Sequence, residues 1–247
     1  MLEFSVRTHR GRVREKNQDC YYVPPSDSGL HIFAVADGMG GHAAGEVASS
    51  LCIQALNENI AEYHNNVMHF DRHQMKHFLE NAVLQGNEQI LTAQQENAEL
   101  DGMGTTITTV VFLDQEILVG HVGDSQAHLF NEDGHSQITE DHSLVMELLK
   151  NGEIEPDEIR SHPQRHMITR ALGTSAQLIV DFYFTPYKKD DYVLLCTDGL
   201  TSMLQIETIQ EIVLEREGSL DSKVDQLIHR ANAIGGLDNI TVVLVRA

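Results

Sequence analysis

Strand-length apolar runs that stop on an aspartate beside glycine recur along this 247-residue chain. Residues 32–36 (Ile-Phe-Ala-Val-Ala) run into Asp37-Gly38-Met39-Gly40-Gly41-His42, and a helix is expected from about residue 46. Residues 119–122 run into Gly123-Asp124-Ser125, and 193–197 into Asp198-Gly199. Asp238 stands in Gly235-Gly236-Leu237-Asp238-Asn239 just before a last apolar run, and Asp19 opens an early strand after Arg14-Glu15-Lys16-Asn17-Gln18. One Asp-Gly pair is an ordinary turn. The repetition is what constrains the fold. A sheet that gathers these strand mouths sets like charges a few ångströms apart, at a cost of several kcal/mol unless cations lie among them.

With 41% hydrophobic residues the chain can bury a large core, and one domain over 1–247 is expected. Lysine and arginine number 17 against 37 aspartates and glutamates, a formal charge of −20. That balance argues against binding nucleic acid by neutralising phosphates. It reads either as a solubilising surface or, in part, as acids that converge on cations. Cys20, Cys52 and Cys196 are scattered without metal-ligand spacing, which fits reduced thiols and a cytoplasmic setting. The first residues lack a signal-peptide apolar core and no run approaches a membrane span, so no membrane partner is expected.

Short strands are expected at 4–7 and 19–23. Their connection carries Arg10, Gly11, Arg12, Arg14 and Lys16, a basic spot in an acidic chain. Val47, Leu51, Ala55 and Leu56 repeat at helical spacing over 45–60, and a second helix spans 74–95. His64, His69, His73 and His77 invite a metal reading, but no carboxylate pattern accompanies them and solvated histidines are expected. Strands follow at 105–113, 116–122 and 126–130, spaced for antiparallel hairpins. A short helix over 143–151 is closed by Gly152. Residues 153–166, broken by Pro156 and Pro163, read as a surface flap. Strands at 178–184 and 191–197, helices at 208–217 and 219–234 and a strand at 239–245 complete the chain. That order is an α+β arrangement with helices outside a strand-rich core.

Oxygen-only ligation selects Mg²⁺ or Mn²⁺ over zinc. Two such ions about 4 Å apart are the usual apparatus of phosphoryl displacement. An arginine fork would grip the remaining phosphate oxygens, and Arg14, close to Asp19 in the chain, is the best candidate.

Arg14-x-x-Asn17-Gln18-Asp19, Asp37-Gly38-Met39-Gly40-Gly41-His42, Gly104-Thr105-Thr106, Gly123-Asp124-Ser125, Arg170-Ala171-Leu172-Gly173, Thr197-Asp198-Gly199-Leu200 and Gly236-Leu237-Asp238-Asn239 together resemble the ordered motifs of the type 2C metal-dependent serine/threonine protein phosphatases, bacterial branch. The resemblance covers essentially the whole chain. It implies a central sandwich of two antiparallel β-sheets flanked by helix pairs, a four-layer αββα fold. It implies hydrolysis of phosphoserine and phosphothreonine by in-line attack of a metal-bridging hydroxide. Asp37 would bridge two ions, Mn²⁺ or Mg²⁺, with the Gly38 carbonyl completing one site and Asp198 and Asp238 holding the other ion. Asp124 with Asp198 would form a third-ion site. Asp19 would act through water and Arg14 would bind the substrate phosphate. Phosphoprotein substrates and a partner serine/threonine kinase are implied as well, and a monomer is expected.

Three positions depart from the pattern. Gln126 stands where many relatives carry arginine, Ser202 where an acid or asparagine is common, and Met39 where eukaryotic relatives carry a histidine proposed as general acid. His42 or His162 could supply that proton, although each also reads as a structural or solvated histidine. Two rivals stand beside the enzyme: a catalytically weak phosphoprotein-binding module of the same fold, and an acidic calcium-binding protein. No EF-hand loop supports the latter.

Overall fold

The computed structural model describes residues 2–25, 28–41, 44–66 and 71–247. In chain order the strands are β1 (Glu3–His9), β2 (Asp19–Tyr22), β3 (Ile32–Met39), β4 (Gly104–Thr105), β5 (Ile107–Phe112), β6 (Glu116–Val122), β7 (Gln126–Asn131), β8 (Gly134–Gln137), β9 (Asp181–Pro186), β10 (Tyr192–Cys196) and β11 (Ile240–Arg246). The helices are α1 (Ala44–Asn66), α2 (Arg72–Glu96), α3 (Leu144–Lys150), α4 (Asp198–Thr201), α5 (Ile206–Leu214) and α6 (Leu220–Ile234). One sheet runs β1-β11-β10-β7-β8 and the other β2-β3-β5-β6-β9, with β4 paired to β3. The neighbouring strands of both sheets pair antiparallel.

Period-two alternation explains the layers, because successive side chains of a strand face opposite ways. On β3, Phe33 and Val35 enter the space between the sheets, while Ile32, Ala34 and Ala36 face α1 and α2. On β11, Val243 and Val245 face between the sheets, while Ile240, Val242 and Leu244 face α5 and α6. Both strands are apolar on each face because each is covered on each face. Phe33 anchors the middle layer, edge-on to Phe4 at 5.2 Å and Phe112 at 5.8 Å between ring centroids. The expected sandwich with helices outside is the one observed.

The departures have local causes. The strand expected over 105–113 breaks at Thr106, which leaves the ladder to bind Asp37: its N–H donates to the Asp37 carbonyl at 2.9 Å and its hydroxyl accepts the Asp37 N–H at 2.9 Å. α2 starts at Arg72 rather than 74 because Asp71 caps it, accepting the His73 and Gln74 N–H groups. β8 is polar and carried no alternation to read. β9 begins at Asp181, three residues later than expected. Of the four histidines, His73 and His77 are exposed. His69 and the His64 side chain lie outside the described residues.

α5 ends at Leu214, three residues earlier than expected, and the cause is Lys223. This lysine is 2% exposed, and its ammonium donates to the carbonyls of Ile212 at 3.2 Å, Val213 at 2.8 Å and Glu215. It is a cation sealing the negative end of a helix. Lys223→Met keeps the stem and removes three donors. We expect a loss of about 1–3 kcal/mol, read as a lower urea midpoint with an unchanged slope. An unaltered midpoint would refute the cap.

Candidate active site

The β2–β3 register sets Asp19 opposite Asp37. Asp124 lies two residues after β6, Asp198 opens α4 two residues after β10, and Asp238 lies two residues before β11. These strand ends belong to different sheets, yet they meet along one edge of the sandwich. Arg14, Asp37, Gly38, Asp124, Asp198 and Asp238 line a single cleft of about 490 Å³. Asp19 is buried, and its Oδ2 accepts the hydroxyls of Thr197 at 2.9 Å and Thr241 at 2.7 Å.

Close backbone contacts hold this edge. A Cβ on Gly38 would lie 2.1 Å from the Gly45 carbonyl oxygen, and one on Gly199 would lie 1.9 Å from that of Asn239. Only glycine fits where one backbone presses so closely on another. The Asn239 amide ties the 10–18 loop to the start of β11. Its Oδ1 accepts the Gln18 N–H at 2.7 Å, and its Nδ2 donates to the carbonyls of Arg10 at 2.9 Å and Lys16 at 2.8 Å. Arg14 then donates to Asp238 at 2.7 Å, a pairing that raises the guanidinium pKa against the cost of its own burial.

The acids are held in an environment that disfavours their charge. Burial first, and then Asp19, Asp198, Asp124 and Asp238, push the Asp37 carboxyl well above its ordinary range. Burial and Asp198 do the same to Asp124. Asp198 is raised by burial and by Asp238. Asp19 is pushed up to about 7 by burial, against the opposing effect of its two threonine donors. Among the described residues, buried Asp19 Oδ1, Asp124 Oδ1 and Asp198 Oδ1 have no hydrogen-bond partner. Oxygens left this way call for a cation or a proton. Hard carboxylate and carbonyl oxygen donors suit Mg²⁺ or Mn²⁺. Among the described residues no three acidic, histidine or cysteine side chains converge into a tight preformed cage. The carboxylates surround a shared space instead.

The histidines fall differently from the sequence expectation. His42 lies outside the described residues. His162 is absent from the cleft lining, and its Nδ1 accepts the Gln164 N–H at 3.2 Å within the flap's own backbone. His166 lines the cleft, with Nδ1 4.0 Å from Asp198 Oδ2. Sequence reading missed it because no local pattern separates it from His162, four residues away. His142 was missed too. Its Nδ1 accepts the Gly123 N–H at 2.9 Å, so its Nε2–H donates to Asp181 Oδ2 at 2.9 Å, and Arg170 holds Asp181 Oδ1 at 3.0 Å. This chain fixes the turn that carries Asp124. At the departures, Gln126 donates to Asp141 at 2.7 Å, and Ser202 lines the cleft.

The family model described as Protein phosphatase 2C matches residues 7–238. The chain belongs to the protein phosphatase 2C family. It is 38% identical over 244 residues to the "Serine/threonine phosphatase stp" of Listeria welshimeri, covering 99% of this chain and 95% of that protein. The solved serine/threonine phosphatase of S. agalactiae superposes with a TM-score of 0.92 at 35% identity, covering 100% of both chains. The catalytic domain of the serine/threonine protein phosphatase PstP in complex with 2 manganese ions gives 0.85 at 34% identity, over 99% of this chain and 97% of that one.

A folded-state pKa near 7 for Asp19, against an ordinary 3.8, gives a contribution to stability that is complete below 3.8 and lost as pH rises through about 7. Asp37 and Asp124 are raised in the same direction. Burial lowers the pKa of His121 and His128 from 6.5 to about 3, so they weaken the fold only on the acid side. In chelator, the melting temperature is therefore expected to fall as pH rises above about 6.5. The fall should be shallower in Asp19→Asn and removed by saturating Mn²⁺ or Mg²⁺. A melting temperature independent of pH in chelator would count against this account.

Proposed function

We propose that the chain is a metal-dependent protein-serine/threonine phosphatase whose hydrolytic site is the carboxylate cleft. The observation that carries this reading is the set of buried, unpartnered carboxylate oxygens beside Arg14, in a chain of the 2C family. Asp37, the Gly38 carbonyl, Asp198 and Asp238 are the groups that would hold two divalent ions, and Asp124 with Asp198 would hold a third. Mn²⁺ and Mg²⁺ both suit the donors, and the PstP complex favours manganese. Bound there, the ions supply the Lewis acidity that activates water and offsets phosphate charge.

The protein's own groups do the rest. Arg14, steadied by Asp238, leaves its other N–H groups for the oxygens of a phosphoserine or phosphothreonine. Asp19, braced by Thr197 and Thr241, orients water at the inner wall. His166 stands where a proton can be given to the departing serine or threonine oxygen. Residues 1–247 act as one domain, with 153–166 as a flap whose distal end brings Arg165 and His166 to the cleft. The enzyme works as a monomer and opposes a serine/threonine kinase. Its three free thiols fit a cytoplasmic setting.

Asp198→Asn is expected to lower turnover of p-nitrophenyl phosphate and phosphopeptides by about a hundredfold or more, and chelation should abolish it. Activity that survives both would sink the assignment. Tight phosphopeptide binding with no turnover by the wild type would favour the binding-module reading. His166→Gln is expected to slow phosphopeptides about tenfold or more while sparing p-nitrophenyl phosphate, whose leaving group needs no proton. Equal losses on both substrates would remove His166 from that role.

A further inference from the structure

We infer that the 10–16 loop, joined to the Gly236-Leu237 turn, is a docking ridge for substrate segments that carry acidic residues and an aliphatic residue near the phosphorylated serine or threonine. The inference rests on the phosphatase reading and names the substrate class of the same cleft.

The ridge is cationic where the chain is not. Arg10, Arg12, Arg14 and Lys16 are four of only 17 cations, set within seven residues that contain one acid, Glu15. Arg14 is committed to Asp238, and Lys16 lies 3.9 Å from Glu46. Arg10 and Arg12 are exposed, and among the described residues neither has a carboxylate within ion-pair distance. Arg10 is held by the Glu15 carbonyl at 3.4 Å. Solubility does not account for such residues, since each cation brings a chain of −20 closer to neutrality.

The ridge is also built rather than loose. Gly236 accepts the N–H groups of Arg12 at 2.7 Å and Val13 at 3.3 Å. Gly11, at φ 78°, presses on Asp238 so closely that a Cβ would lie 2.1 Å from its carbonyl oxygen. The Asn239 amide seals both ends of the loop. This fixed frame displays two apolar side chains beside the free arginines: Val13 is 62% exposed and Leu237 55% exposed, and Leu237 also lines the cleft. Exposed aliphatic groups on a loop whose Arg10 and Arg12 have no carboxylate partner among the described residues match a ligand of mixed acidic and aliphatic character.

Register follows from Arg14. If it grips the phosphate, Arg12 and Arg10 lie two and four residues away along the loop. Both therefore stand on the same loop as the residue that would hold the phosphate, on the side where residues flanking the phosphorylated one would pass. The ridge also offsets the repulsion that an acidic phosphoprotein meets on approach to an acidic enzyme.

The test compares three phosphothreonine peptides of equal length in Mn²⁺: one flanked by Asp, Glu and Leu, one with the acids replaced by Lys, and one with Leu replaced by Gly. Wild-type kcat/KM is expected to favour the acidic peptide by about five- to tenfold, mostly through KM, with the advantage shrinking in salt. Arg10→Glu/Arg12→Glu should erase or invert the preference and Arg10→Gln/Arg12→Gln should reduce it. Val13→Ser should narrow the gap between the Leu and Gly peptides. All should leave p-nitrophenyl phosphate turnover within about twofold. Equal wild-type rates on acidic and basic peptides overturn the inference, as does a double variant that slows p-nitrophenyl phosphate in parallel. Wild type that turns over none of these substrates sinks the phosphatase reading itself, a distinguishable result.

Discussion

Mutual repulsion among buried acids is the constraint on which the rest of this structure depends. Asp19, Asp37, Asp124 and Asp198 are raised in pKa chiefly because they are buried, and also because they are near one another. Left to itself, such a group would turn outward to water. Here the acids stand on strand ends, and strand ends cannot move without moving a core. The inter-sheet layer around Phe33, Val119, Val193 and Val243 holds β3, β6, β10 and β11 in place. The two outer layers hold the sheets' other faces. Apolar burial is thus the force that keeps the carboxylates together.

The surroundings of the acids are engineered for closeness. Glycine at 38, 45 and 199 lets backbones touch, and Asn239 closes the loop bearing Arg14 onto the strand after Asp238. The hydroxyl chain from Thr8 through Thr241 to Asp19 fixes that carboxylate's orientation. These partners carry no charge, so they position the acids without neutralising them. What remains is oxygen in search of a cation next to a guanidinium suited to phosphate. That pairing of unmet needs suits phosphoryl transfer.

Much of this was legible in the chain itself. Alternating or continuous apolar runs marked β3, β5, β6, β10 and β11, because burial on one or both faces leaves that mark on composition. The same runs ended on the acids, so the candidate ligands could be read with them. β8 was illegible since Gly134–Gln137 is a polar edge strand held by its pairing with β7. The early end of α5 was illegible since it depends on Lys223, which reaches it from α6. His166 could not be told from His162, because entry into the cleft is decided by the path of the flap across space.

Sequence by itself determined most of the elements, the acid-at-strand-end pattern, the basic loop and the family, since each is written in neighbouring residues or in the order of motifs. Only the tertiary structure decided that acids from two sheets share one cleft, that Asp19 hangs from two threonines, that His142 braces the turn before Asp124 and that the Val13 backbone is tied to the Gly236 turn. Those relations join residues as far apart as Asp19 and Thr241, and they exist only once the sheets have packed and their registers are set.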